Sequence, residues 1–151
     1  MNERPLRDDE KRRVLHALTE SNIAPQPVCE EAVETCRFIP FHSLLPPVGA
    51  GIRPVIAFFA LRRRASGITL GRKVYIRRHL FGRSGDLPLV LVTHEVAHVV
   101  QFLRDGTLPF LTRYLGEYLA ARINGMSDRE AYLRISYEQE ARRVEQFLDG
   151  L

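Results

Sequence analysis

Two histidines and a glutamate carry the clearest chemistry in this sequence, in the pattern His94-Glu95-x-x-His98 within Leu89–Phe102. Residues four apart on an α-helix project from one face, so His94 and His98 can offer two imidazole nitrogens to one metal ion. Glu95 lies roughly 100° further around the helix, where it reaches a water on the ion rather than the ion itself. Zinc acidifies such a water, and a carboxylate then takes its proton as general base. The spacing therefore predicts a Zn²⁺ centre with Glu95 as the catalytic residue.

The alternative to a metal centre is a buried helix that carries two satisfied histidines. Two imidazoles and a carboxylate in apolar surroundings are costly unless something pairs them. We therefore favour the metal hypothesis for this segment.

A third protein ligand is needed, because catalytic zinc takes three protein ligands and keeps one open position. No further histidine follows at short spacing, and the downstream candidates are carboxylates in Ser136–Leu148. Counting 100° per residue, Glu140 lies about 60° and Glu138 about 100° from the apolar face of a helix there. Periodicity thus mildly favours Glu140.

A helix bearing His-Glu-Val-Ala-His, followed along the chain by a helix with Glu138-x-x-Ala, resembles the gluzincin metallopeptidases. Within that group, Val92–Gln101 and Tyr137–Arg143 are similar to the small zincin domain found beside bacterial contractile injection systems and polymorphic toxins. The resemblance covers roughly residues 67–148. It implies a zincin-like (minigluzincin) fold, Glu95 as the base, and three zinc ligands, which are His94, His98 and Glu138.

The resemblance also directs attention to neighbouring residues. The family often has Asp directly after the alanine, where it orients a histidine ligand, and this chain has Arg142 there. Glu140 stays open as the alternative ligand. Gln101, one turn beyond His98, either hydrogen-bonds near the site or caps an exposed edge.

Tyrosine hydroxyls are candidates to stabilise an oxyanion by donating a proton. Three tyrosines qualify by position, and for each the alternative is aromatic core packing. They are Tyr114, Tyr118 and Tyr137.

The elements that must hold these residues form an α+β pattern of helices, a small antiparallel sheet and further helices. Predicted helices span Pro5–Ser21, Val28–Arg37, a long segment from Pro88 to Asp105, Pro109–Asn124, Ser127–Ile135 and Ser136–Leu148. The last two each begin with a capping-box pattern. Alternating apolar residues over 67–78, with Gly71-Arg72 between them, predict paired strands. The stretch 55–64 is ambiguous between helix and strand.

Length and composition fit one domain, with N-terminal helices and an irregular segment over 1–60 and the sheet and site over 61–151. The 151 residues are 45% hydrophobic and 26% charged, as in ordinary globular proteins. No apolar run approaches the ~20 residues of a membrane span. The charged N-terminus lacks signal-peptide character, so a cytoplasmic location is expected, although signal-less export would leave no trace.

Cys29 and Cys36 would lie ~10 Å apart on one helix, beyond disulfide reach. We expect both to be small core residues. The residues between Thr35 and Gly85 hold many of the chain's 22 Lys and Arg and none of its 18 Asp and Glu. The basic segment 53–83 is therefore either a solvated face or a surface for an anionic partner.

These features favour a zinc-dependent metallopeptidase that acts on a peptide or protein. An extended peptide is expected to pair with the edge of a strand at Arg72–Arg78, and the irregular segment 41–54 is long enough to lie across a cleft. One alternative, motivated by Arg142, is a catalytically inactive zincin-fold binding or structural module. A nucleic-acid-associated protein is less favoured, because no base-reading or stacking motif is visible.

Overall fold

The computed structural model describes residues 3–41 and 66–148, which form six α-helices and a three-stranded sheet. The fold is α+β and mainly helical, as the sequence predicts. In chain order the elements are α1 (Asp8–Glu20), α2 (Gln26–Thr35), β1 (Arg37–Phe41), β2 (Gly67–Leu70), β3 (Lys73–Arg77), a 3₁₀ turn (Arg78–Leu80), α3 (Leu89–Asp105), α4 (Thr107–Ile123), α5 (Asp128–Arg134) and α6 (Ser136–Glu145).

The sheet is mixed rather than antiparallel, with the strand order β1-β3-β2. The predicted antiparallel pair is present as β2 and β3, joined through Gly71, whose φ of +62° suits glycine. The sequence reading missed β1, which runs parallel to β3 directly after α2. Its residues include Pro40 and showed no clear alternation, and pairing with a strand more than thirty residues away leaves no local signal.

The position of β3 contradicts the expectation that a substrate peptide pairs with Arg72–Arg78. Among the described strands β3 is the central one, hydrogen-bonded to β1 on one side and to β2 on the other. The side chains of Val74 and Ile76 are fully buried. The backbone of β3 is therefore already paired.

Helix α3 runs through the interior and is buried around its whole circumference from Val92 to Phe102. It packs against α1, α2 and the sheet, and against α4 and α6. One apolar cluster joins α1, α2, β1, β3 and α6 to α3, and a second joins α4 and α5 to its C-terminal part. The polar side chains of α3 are buried together with its apolar ones.

The structure tests the two capping boxes that the sequence predicts. The capping box at Ser127 is confirmed, with the Ser127 hydroxyl accepting from the Glu130 N–H and the Glu130 carboxylate accepting from the Ser127 N–H. The one expected at Ser136 is wrong, because its N–H and hydroxyl both donate to the Glu117 carboxylate of α4.

Cys29 and Cys36 are free, buried core residues as predicted. Burial raises the pKa of the Cys36 thiol to about 12.

Among the described helices, none combines the length and apolar character that a bilayer span requires. The ambiguous stretch 55–64 lies outside the described residues, and so does nearly all of the irregular segment 41–54, which is long enough to lie across a cleft.

Candidate metal centre

The three side chains that the resemblance implies as ligands meet between α3 and α6. His94 Nε2 lies 2.9 Å from Glu138 Oε2, and His98 Nε2 lies 3.3 Å from Glu138 Oε1. The two Nε2 atoms are 3.2 Å apart. One ligand atom from each residue falls within 4.8 Å of the others, and all three side chains are buried. A single ion bound between these atoms would contact all three residues.

The carboxylate of Glu140, which helical periodicity favoured as the third ligand, contacts neither histidine. It accepts from Gln101 Nε2 at 2.7 Å and from Arg104 Nη1 at 2.9 Å. Glu138 is fully buried although it lies off the apolar face, because α6 also faces α4 and α5. The geometry thus brings Glu138, and not Glu140, to the histidines.

Gln101 hydrogen-bonds within the site, which is one of its two expected roles. Its amide nitrogen donates to the Tyr137 carbonyl at 3.0 Å and to Glu140. Its oxygen is thereby turned toward His98 Nδ1, at 2.7 Å. Since an amide oxygen only accepts, His98 Nδ1 carries the proton and His98 Nε2 presents its lone pair to the cluster.

His94 lies between two carboxylates of α6. Its Nε2 faces Glu138, and its Nδ1 lies 2.5 Å from Glu145 Oε1. Burial disfavours the charged ring, but the hydrogen bonds to Glu138 and Glu145 outweigh this cost and raise the pKa of His94 to about 9. The surroundings of this ring therefore favour positive charge.

Sequence reasoning missed Glu145, and also Tyr132 and Thr69, which donate to Glu138 and Glu95. An acid was sought directly after Ala141, where Arg142 stands. The signal that could have found it is the spacing of Glu138 and Glu145, because seven residues are close to two helical turns and place both acids on one face.

The carboxylate of Glu138 also receives two phenolic hydroxyls. Tyr114 donates to Oε1 at 2.6 Å and Tyr132 donates to Oε2 at 2.7 Å. The guanidinium of Arg142 lies over the Tyr132 ring, 5.2 Å from its centre. Arg142 therefore contacts the surroundings of Glu138 rather than a histidine.

The three tyrosines considered for an oxyanion each donate to a carboxylate. Tyr114 binds Glu138, Tyr118 binds Asp128 at 2.5 Å, and Tyr137 binds Asp105 at 2.9 Å. Burial and the bond to Asp105 raise the pKa of Tyr137 to about 12. Tyr137 packs against Phe110 in the core, whereas Tyr114 and Tyr118 line the cleft.

Glu95 faces β2 and, like His94, borders the cleft. The Thr69 hydroxyl donates to Glu95 Oε2 at 2.7 Å, and Glu95 Oε1 lies beside Gly67. A Cβ on residue 67 would lie 2.9 Å from Oε1, so any larger residue there would require the strand or the Glu95 side chain to shift.

A cleft of about 710 Å³ opens over the site. Its walls come from the start of β2, the first turn of α3, and parts of α4 and α5. His94, Glu95 and Glu145 line it, while His98 and Glu138 lie deeper. The volume is in the range of small-ligand and peptide side-chain pockets.

The basic segment 53–83 is only partly within the described residues. There Arg72 forms an ion pair with Glu31 and a hydrogen bond to Thr35, and Lys73 is exposed. An anionic partner for this segment remains a prediction.

Comparisons with known proteins found no relative of this chain: no protein-family model, no curated protein and no solved structure matches it. The interpretation of the site therefore depends on its own geometry.

The contact between β2 and Glu95 gives a prediction for Gly67→Ala. The added Cβ would lie 2.6 Å from Ile76 Cδ1 and 2.9 Å from Glu95 Oε1, so the strand or the carboxylate must shift. We expect a loss of about 1–3 kcal/mol in the free energy of unfolding, measured by urea denaturation.

Gly116→Ala in α4 is the matched control. Beyond the adjacent residues and the backbone of its own helix, no atom of the described residues lies within 4 Å of a Cβ there. Alanine should stabilise that helix by about 0.5–1 kcal/mol. Equal effects of the two substitutions would contradict the close approach at Gly67.

Proposed function

We propose that this protein is a zinc-dependent peptidase in which His94, His98 and Glu138 hold the ion and Glu95 is the general base. The observation that supports it most is the convergence of two imidazole nitrogens and a carboxylate at the base of a cleft that Glu95 also lines. Two histidines and one glutamate form a known ligand set of catalytic zinc.

The donor atoms fit a cation at this position. Gln101 and Glu145 occupy the Nδ1 atoms of the two rings, so both Nε2 atoms turn toward Glu138. Two lone pairs 3.2 Å apart repel unless a proton or an ion lies between them. The mixture of imidazole and carboxylate suits zinc better than the oxygen-only sites preferred by Mg²⁺ or Ca²⁺.

The ion would supply a Lewis acid, which polarises a carbonyl oxygen and acidifies water. Glu95 accepts the proton of the attacking water and returns it to the leaving amine. The Thr69 hydroxyl donates a hydrogen bond to Oε2 of this carboxylate, and Oε1 lies beside Gly67 at the cleft wall. The tyrosines bonded to Glu138 keep that side chain in one orientation. The substrate is a peptide or protein segment that enters the cleft.

Metal binding is tested by titrating zinc into protein treated with a chelator and then dialysed. We expect one equivalent to bind tightly and His98→Ala to abolish binding. Glu138→Gln should weaken it by more than the roughly 10–100-fold typical of residues that only support a ligand.

Glu140→Gln, on the same helix, is the matched control for Glu138→Gln. It changes a neighbour of Gln101 but no proposed ligand, and should cost at most ~10-fold in affinity. If Glu140→Gln weakens binding as much as Glu138→Gln, the ligand assignment is wrong. If the unsubstituted protein binds no zinc, the centre itself is wrong.

Catalysis is tested by Glu95→Gln with a quenched-fluorescent peptide library and an unfolded protein as substrates. Removing the base should lower cleavage by about 10²–10⁴-fold while zinc affinity changes little. Glu30→Gln, which removes an exposed charge on α2, should cleave like the unsubstituted protein.

Equal cleavage by Glu95→Gln and Glu30→Gln would rule out Glu95 as the base. Zinc binding without cleavage of either substrate would instead favour the alternative that Arg142 motivates, a metal-stabilised binding module.

A further inference from the structure

We infer that Glu145 is a positioning residue, which holds the His94 ring in the tautomer and orientation that the metal centre requires. The inference rests on the proposed metal centre. It starts from a contact outside the ligand set: Glu145 Oε1 lies 2.5 Å from His94 Nδ1, while Glu138 Oε2 lies 2.9 Å from the other ring nitrogen. Two acids of α6, two turns apart, thus hold both ends of one ring.

The chemistry of a carboxylate determines what this contact does. An ionised carboxylate accepts hydrogen bonds and donates none, so the proton of the pair belongs to Nδ1. His94 Nε2, which faces Glu138 and His98 Nε2, is then the atom that an ion would bind in place of a proton shared with Glu138. A negative partner on Nδ1 also makes the ring a stronger electron-pair donor at Nε2.

The two histidines are supported in different ways. His98 Nδ1 is held by the neutral amide of Gln101, which is fully buried and comes from the same helix. His94 Nδ1 is held by a charged side chain from α6 that is 26% exposed and lines the cleft. The support of His94, unlike that of His98, is therefore accessible from the cleft.

The contact between Glu145 and His94 also explains why Arg142 can stand where the family often has an acid. An acid at that position would be redundant, since Glu145 already occupies His94 Nδ1. Arg142 instead lies over the ring of Tyr132, whose hydroxyl donates to Glu138. Each of the three polar residues Glu138, Arg142 and Glu145 on this face of α6 thus has a contact at the centre.

The test uses the full chain with Glu145→Ala, Glu145→Gln and, as the control for lost charge, Glu30→Ala. The first readout is the Nδ1 proton of His94 in NMR spectra of ¹⁵N-histidine-labelled, chelator-treated protein. A proton bonded to a carboxylate resonates far downfield and exchanges slowly. The second readout is zinc affinity by titration.

We expect Glu145→Ala to lose the downfield His94 proton, to leave that of His98 in place, and to weaken zinc binding about 10–100-fold. Glu145→Gln keeps an acceptor oxygen, as Gln101 does at His98, and should recover the proton and most of the affinity. Glu30→Ala should change neither readout. Glu145→Met, of similar length but without an acceptor, serves if the alanine variant does not fold.

The inference is overturned if Glu145→Ala matches Glu30→Ala in both readouts. It is also overturned if zinc affinity falls while the His94 proton is unchanged, because Glu145 would then act through charge alone. If the unsubstituted protein binds no zinc, the proposed function fails. The NMR readout still decides whether Glu145 holds the ring.

Discussion

A buried polar group costs free energy unless it finds a partner inside the protein, and this cost governs the arrangement around α3, which is buried on all sides from Val92 to Phe102. Five of its buried side chains are polar, and an unpaired one can cost several kcal/mol. Four of them are paired, whereas the Thr93 hydroxyl has no hydrogen-bond partner among the described residues. The partners come from other elements: β2 supplies Thr69, and α6 supplies the carboxylates of Glu138, Glu140 and Glu145. Tyrosines of α4 and α5 in turn donate to Glu138. The positions of β2 and α6 against α3 are therefore tied to the polar residues of the site, which are His94, Glu95, His98 and Gln101.

The charges around His94 explain why a cation suits the centre. The carboxylates of Glu138 and Glu145 both lie within hydrogen-bond distance of its ring, and Glu95 contributes a further negative charge nearby. A buried carboxylate without a counter-charge is strongly destabilising. A divalent ion held by both imidazoles and Glu138 would offset that negative charge, and the surrounding hydroxyls would satisfy the remaining lone pairs. The buried negative charge and the donor atoms of the centre thus both favour a divalent cation.

Much of this arrangement was predictable from local sequence signals. The helices, the β2–β3 pair, the Ser127 cap and the histidine pair follow from periodicity, turn residues and spacing. Glu138 followed from the resemblance alone, because periodicity assumes that a buried helix face is apolar, whereas a carboxylate paired with tyrosines and histidines can occupy a core position. Glu145, β1 and the Glu117 cap of α6 depend on contacts between residues far apart in the chain. Those contacts are set by how the elements pack.

The central claim is that one zinc ion binds between α3 and α6. Diffraction from crystals grown with zinc, recorded on both sides of the zinc absorption edge, tests it most directly. The account predicts one strong anomalous peak, present only above the edge, between His94 Nε2, His98 Nε2 and a carboxylate oxygen of Glu138. A zinc peak elsewhere, or ordered histidines hydrogen-bonded as described with no peak between them, would contradict it.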